Sequence, residues 1–378
     1  MNDSLLILGA SARAAAFSAL RGGFRPVCGD LFADADLAAQ CPVSKPNDYP
    51  GGLADLALAA PSGPWLYVGA LENHPELVRT VADARPLWGN FPSVLRRVRD
   101  PFQWTFALRS ARLPACRVLP SGEGLPRDGS WLRKKIRSGG GSGIHAWDRT
   151  CRQPIRDPDW FFQQRVVGTS LSGSFLASRN GATLLGVTEQ LVGASWLHAK
   201  PFHYCGSLGS IELASSQRGM WERMGNCLRE EFQLTGLFGV DAMESSDGLY
   251  PVEVNPRYSA SLEVLERAGD FSAIRLHADA CRDRSLPDGA PRASDRCFGK
   301  AILFAPREVR IPASFTSTLM AENEDPLRPV AADLPAGGVS IRAGRPICTI
   351  FAEASTSSET IVRLQEQTQR LMRLLKDS

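Results

Sequence analysis

Lysine is scarce in this sequence: of 43 basic residues only six are lysine, at positions 45, 134, 135, 200, 300 and 376. The net charge is +3, which gives no basic arm of the kind that binds nucleic acid. Nine cysteines, an odd number, lie scattered without a Cys-x-x-Cys pair, which supports neither a disulfide framework nor a zinc site and suits free thiols in a reducing cytoplasm. The five histidines, at 74, 145, 198, 203 and 277, fall at no metal-ligand spacing. His198 and His203 flank Lys200 and are at most substrate-side candidates. No apolar run reaches the ~18 residues of a membrane span, and the first residues enter an apolar strand without a basic flank or cleavage pattern. Neither G-x-x-x-x-G-K-[ST] nor G-x-G-x-x-G occurs, which disfavours a P-loop NTPase and a dinucleotide site. No Ser/His/Asp or Cys/His constellation is evident either, so covalent catalysis by a side chain is not expected.

What is present is a globular chain of 378 residues, 43% apolar and 22% charged, long enough for two or three domains. Leu5 to Ala10 reads as a buried strand, Ser11 to Leu20 as a helix and Phe24 to Cys28 as the next strand. This βαβ opening has Gly9 and Ser11 at the strand-to-helix turn, where helix amides could meet an anion beside Arg13. Trp65 to Gly69 adds a strand and Leu71 to Val81 a helix. Residues 1–95 thus form an expected small α/β domain.

The stretch from Gly236 to Arg257 organises the rest. Phe238 to Met243 and Leu249 to Asn255 read as two strands around a turn at Ser245 to Gly248. Alternation puts Glu253 and Asn255 on one face, and a hairpin register can bring Asp241 beside them. Two carboxylates and an amide oxygen suit a hard cation that bridges phosphates, Mg²⁺ or Mn²⁺ rather than zinc. Arg257, two residues on, could hold a developing oxyanion. Taken alone, the same pattern also fits an ordinary hairpin with a polar outer face.

Upstream, the strand Trp131 to Lys135 runs into Ser138-Gly-Gly-Gly-Ser-Gly143. Bare backbone there can approach phosphate oxygens, with lysine adding a charge-assisted bond. A flexible linker is the bland alternative, though linkers seldom follow a strand carrying Trp-Leu and two lysines. Then come a Gln-containing strand from Trp160 to Val167 and a hairpin of Ser174 to Ala177 with Thr183 to Thr188. A helix from Ser216 to Leu234 follows, whose Trp221, Met224, Leu228 and Phe232 stripe reads as core. Phe102 to Arg112 and Val264 to Ala280 also read as helices, and Arg282 to Arg296 as a linker. Beyond it, Lys300 to Phe304, Val339 to Ile341 and Ile347 to Phe351 read as strands. Ser357 or Ser358 caps a final helix carrying Ile361, Leu364, Leu371 and Leu375.

A lysine strand with a glycine loop, a Gln-rich strand, a helix and then Asp…Glu-x-Asn-x-Arg form an ordered set. It resembles the ATP-grasp superfamily, and within it the predicted ATP-dependent carboligases related to biotin carboxylase. The resemblance implies an α/β (α+β) fold: a Rossmann-like pre-ATP-grasp domain over 1–95, ATP-grasp lobes over 96–281 and a small C-terminal subdomain over 297–378. By the same resemblance Lys134, more than Lys135, contacts the ATP phosphates, and Gly139, Gly140, Gly141, Ser142 and Gly143 form a flap over them. Gln164 and Val166 offer backbone groups to adenine, Asp241, Glu253 and Asn255 hold magnesium, and Arg257 serves the acyl-phosphate centre. The sequence departs from the family at Arg99-Asp-Pro101, which lacks the usual lysine, and near Ser170, where a ribose-binding acid is often found.

The implied function is a Mg-dependent carboxylate–amine ligase that forms an amide through an acyl phosphate, releasing ADP and phosphate. Lys134 and Arg257 are its catalytic residues, and small-molecule acids and amines its partners. A bicarbonate-activating carboxylase and an ATP-binding regulatory protein without turnover are the alternatives. A homodimer in the cytoplasm, touching neither nucleic acid nor membrane, completes the expectation.

Overall fold

The computed structural model describes residues 4–282, 286–287, 289 and 294–376. Its first unit is a parallel four-stranded sheet in which Ser4–Gly9 lies between Arg25–Asp30 and Trp65–Tyr67, with Val43–Ser44 outermost. The apolar run Leu5 to Leu8 is fully buried because helices cover both faces, as a parallel sheet requires. The expected helix from Leu71 is broken: a single 3₁₀ turn, Leu71–Asn73, precedes the helix Pro75–Ala84. Proline disfavours helical backbone at His74, and the break turns Glu72 and Asn73 inward, both buried.

A small antiparallel sheet follows, in which Asp128–Lys135 lies between Ile144–Asp148 and Trp160–Gln164, with Val118–Leu119 at the far edge. The expected strand from Trp160 ends at Gln164, and Arg165 makes the last tie, its amide donating to the Ser130 carbonyl at 2.9 Å.

A third, eight-stranded sheet runs in the order Gly248–Asn255, Gly236–Ser245, Thr169–Ser178, Gly181–Val192, Tyr204–Gly209, Cys297–Phe304, Pro346–Ala354 and Ala331–Ala332. Strands from residues 297–354 therefore continue the sheet begun by residues 169–255. The helix Ser215–Phe232 packs its Trp221, Met224, Leu228 and Phe232 stripe on this sheet, where Trp221 meets Phe175 and Phe175 stacks on Phe238 at 4.9 Å. Phe175 is fully buried, so truncation to alanine would cost about 3–5 kcal/mol.

Several expected elements are redrawn. The helix expected over 264–280 is two, Leu262–Gly269 and Ala273–Arg282, separated at Asp270, which takes a left-handed conformation. Among the described residues, strand Ser340–Ile341 pairs only with Val309–Arg310, in a separate ribbon. Thr356, not Ser357 or Ser358, caps the final helix Ser357–Leu374 by accepting from the Glu359 amide. The expected linker over 282–296 lies largely outside the described residues.

A buried ionic knot joins the first unit to the last strands. Arg13 binds Glu263 and Asp333, Lys300 donates to Glu263 at 2.7 Å, and the Asp36 carboxylate accepts from the amides of Asp333 and Leu334. Ser11 donates to Asp333 as well. Ser11 and Arg13, read in sequence as an anion site, are thus committed to this knot. The helix-start amide of Ala12 is likewise taken, by Asp30.

Candidate active site

The hairpin register opposes Asp241 to Glu253 and Gly239 to Asn255, which puts the two carboxylates on one face, and the pairing shifts just after Asp241. Asp241 Oδ1 accepts from Ser172 Oγ at 2.8 Å and Gln190 Nε2 at 3.0 Å, and Oδ2 from Asn255 Nδ2 at 3.0 Å. Burial and then the charge of Glu253 push Asp241 up to about 6. Burial acts on Glu253 the same way, but the charges of Arg99 and Lys134 outweigh it and hold the group below the ordinary carboxylate value. Two half-buried carboxylates, of which Glu253 raises the cost of ionising Asp241, with an amide beside them, form a donor set that a divalent cation would satisfy.

Alternation along the strand settles the two lysines. Lys134 is buried and faces the cleft, its Nζ donating to Gln163 Oε1 and the Val252 carbonyl at 3.0 Å each, while Lys135 points to solvent. Burial lowers the Lys134 pKa against the pull of Glu253.

These residues line one cleft of about 640 Å³ between the two antiparallel sheets. Its wall includes Lys134, Asp241, Glu253, Asn255 and Arg257, with Gln164 and Val166 along the crossing segment. The Gln164 amide is committed to the Arg117 carbonyl. Of the glycine loop, Gly140 and Gly141 reach the cleft, while Ser142 turns its hydroxyl back to the Gly139 carbonyl at 2.8 Å. The loop is shut against residues 202–204: the Gly140 carbonyl accepts from the Tyr204 amide at 3.2 Å. A Cβ on Gly141, whose φ is +79°, would lie 1.8 Å from the Phe202 carbonyl oxygen. Of the loop histidines, His203 sits beside Phe304, their ring centroids 6.4 Å apart.

Arg257 Nε donates to Glu72 Oε1 at 2.8 Å and Nη1 to the Tyr258 carbonyl at 3.0 Å. Glu72 is wholly buried, and its Oε2 has no partner among the described residues. Arg99 donates to Glu253 at 2.8 Å and to the Ser138 carbonyl, which Asn73 also reaches.

Gln163, Ser172, Gln190, Glu72 and Asn73 are site residues that sequence reasoning passed over. Gln163 was accessible, since it shares its strand with Gln164 and one step of alternation decides which faces Lys134. The break before Pro75 was the only local signal for Glu72.

Residues 100–261 match the family described as the ATP-grasp domain, and they are an ATP-grasp domain. No curated protein matches the sequence. Among solved structures, the chain is similar to an ADP complex of N5-carboxyaminoimidazole ribonucleotide synthetase, 14% identical with a TM-score of 0.70 over 99% of this chain and 97% of that one. It is also similar to carboxyaminoimidazole ribonucleotide synthase from Aspergillus clavatus complexed with ATP, at 13% identity and TM-score 0.71 over 99% and 100%. A third is the biotin carboxylase domain of Hydrogenobacter thermophilus 2-oxoglutarate carboxylase with MgADP and bicarbonate, at 12% identity and TM-score 0.70 over 96% and 88%. At these identities the likenesses establish the fold.

Proposed function

We propose, from the premise that the chain carries an ATP-grasp domain, that it is an ATP-dependent carboxylate–amine ligase releasing ADP and phosphate. The observation that carries the reading is the pairing of Asp241 with Glu253 beside Asn255, in one cleft with Lys134 and the closed glycine loop. Asp241, Glu253 and Asn255 hold Mg²⁺ or Mn²⁺, which when bound neutralises charge on the ATP phosphates. Lys134 leaves Gln163 to meet a phosphate oxygen, and the loop 139–143 excludes water. Gln164 and Val166 face adenine. The substrate carboxylate is held in line with the γ-phosphoryl group, and the acyl phosphate so formed is attacked by an amine.

Arg257, locked on one edge by Glu72 and the Tyr258 carbonyl, turns its remaining nitrogen toward the oxyanion of the tetrahedral intermediate. Loss of one such donor typically costs ~10²–10³ in rate. No side-chain nucleophile is required. We read the chain as domains 1–95, 96–281 and 297–378, acting on small molecules and assembling as a homodimer in the cytoplasm. Among the described residues no helix is long and apolar enough to cross a membrane.

A bicarbonate-activating carboxylase is the second reading, favoured by the likeness to a biotin carboxylase domain solved with bicarbonate. A screen of acid and amine pairs for ADP release, with and without bicarbonate, tests both. Release that needs an acid and an amine supports the ligase, release that needs bicarbonate supports the carboxylase, and no release under any pair would favour a regulatory protein.

A further inference from the structure

Arg99 follows the helix Pro92–Val98, and its side chain is only 9% exposed. Nη1 donates to Glu253 Oε1 at 2.8 Å and to the Val254 carbonyl at 3.0 Å. Nη2 donates to the Ser138 carbonyl at 2.9 Å, one residue before Gly139. One planar guanidinium therefore touches the hairpin carboxylate and the stem of the glycine loop at once. It does so from two different nitrogens, a geometry that a single ammonium does not reproduce. Glu253 Oε2 has no hydrogen-bond partner among the described residues, so Arg99 holds one carboxylate oxygen and leaves the other for a cation. Arg99 itself is not among the residues lining the cleft. Asn73 Nδ2 grips the same Ser138 carbonyl from the first unit at 3.1 Å.

We infer that Arg99 is a positioning residue that couples cation binding at Glu253 to the order of the glycine loop, an inference that rests on the metal role proposed for Glu253. Without a cation the Glu253 carboxylate is tethered through Oε1 alone, by Arg99, and its residual movement passes through the guanidinium to Ser138. A cation on Oε2 fixes carboxylate, guanidinium and loop stem together. Such coupling is reciprocal, so an ordered loop raises the site's affinity for the cation by the same factor.

Hydrogen–deuterium exchange of residues 138–143 in the full chain tests this without knowledge of the acid or amine. It is measured without additions, with the nonhydrolysable ATP analogue AMP-PNP, and with AMP-PNP plus Mn²⁺. In the wild type, Mn²⁺ should add protection beyond the nucleotide alone. In Arg99→Met the loop should exchange about tenfold faster without additions, the worth of one hydrogen bond to a charged group. Mn²⁺ should then add no protection, and Mn²⁺ affinity read by electron paramagnetic resonance should fall by the factor lost. Arg99→Lys should resemble Arg99→Met. Asn73→Ala, a second variant should Arg99→Met not fold, should exchange faster yet keep its response to Mn²⁺; loss of that response would move the coupling to Asn73 and overturn the inference. Equal exchange and equal Mn²⁺ protection in Arg99→Met and the wild type would also overturn it. A wild type that binds no Mn²⁺ with AMP-PNP would instead sink the metal reading, which the ligand-free exchange of Arg99→Met does not depend on.

Discussion

Asp241 and Glu253 oppose each other across a two-stranded register, and each is half-buried with charged neighbours close by, so the loss of one charge is felt by the others. Glu253→Gln keeps the shape and the Arg99 contact but removes the charge a cation needs. We expect it to abolish Mg-dependent ATP turnover with the melting temperature close to wild type; full turnover in the variant would refute the metal assignment. Lys134→Ala should weaken nucleotide binding by calorimetry far more than Lys135→Ala, because only the first side chain faces the cleft. Glu72 acts one step further back. Glu72→Gln leaves Arg257 without its charged partner and should lower kcat by about 10- to 100-fold with KM for ATP unchanged, the pattern of an interaction made only in the transition state. A rise in KM for ATP with kcat intact would place Glu72 in nucleotide binding instead.

At the scale of elements, the glycine loop shows most directly how sequence becomes function. Gly141 has a left-handed φ and no room for a side chain against Phe202. Gly141→Ala should therefore keep the loop from closing and weaken AMP-PNP binding at least tenfold, with little change in thermal stability; unchanged affinity would show that closure is dispensable. The glycine loop and the hairpin were legible in the sequence because each depends on neighbours within a few residues, a run of glycines or alternation around a turn, whereas the preference for Lys134 over Lys135 came from the family resemblance. Gln190, Ser172 and Arg99 were not, because the first two reach Asp241 only through the order of strands in the large sheet. Arg99 was noticed for the lysine it replaces, whereas its contacts join residues 39 and 154 positions away. The anion site read at Ser11 and Arg13 failed for the same reason, since Asp333 and Glu263, which occupy them, lie more than 240 positions on.

Across the whole molecule, the ionic knot fastens the first unit to the strands that complete the large sheet. It holds more carboxylates than cations, and Asp34, at the start of the helix Ala35–Gln40, bears the consequence. Burial and the charges of Asp333, Asp36 and Asp30 push it up to about 8, with Asp36 at about 6. A carboxyl whose folded pKa lies above its unfolded value holds a proton that unfolding releases. Its contribution is therefore present below about pH 4 and is lost as pH rises through 8. Asp34→Asn should match the wild type near pH 4 and exceed its stability at pH 9 by ~1 kcal/mol, a discounted figure because the side chain is partly solvated; chemical denaturation at the two pH values checks it. The remaining decline in the variant, from Asp36, should fall between about pH 4 and pH 6.

Because every function proposed here descends from a cation held at the hairpin, the most direct test is anomalous diffraction from crystals grown with Mn²⁺ and AMP-PNP. A manganese peak within coordination distance of Asp241, Glu253 and Asn255, beside the analogue's phosphates and beneath Gly140 and Gly141, is the result expected. A peak elsewhere, or a nucleotide seated in the cleft with those three side chains turned from it, would contradict the account.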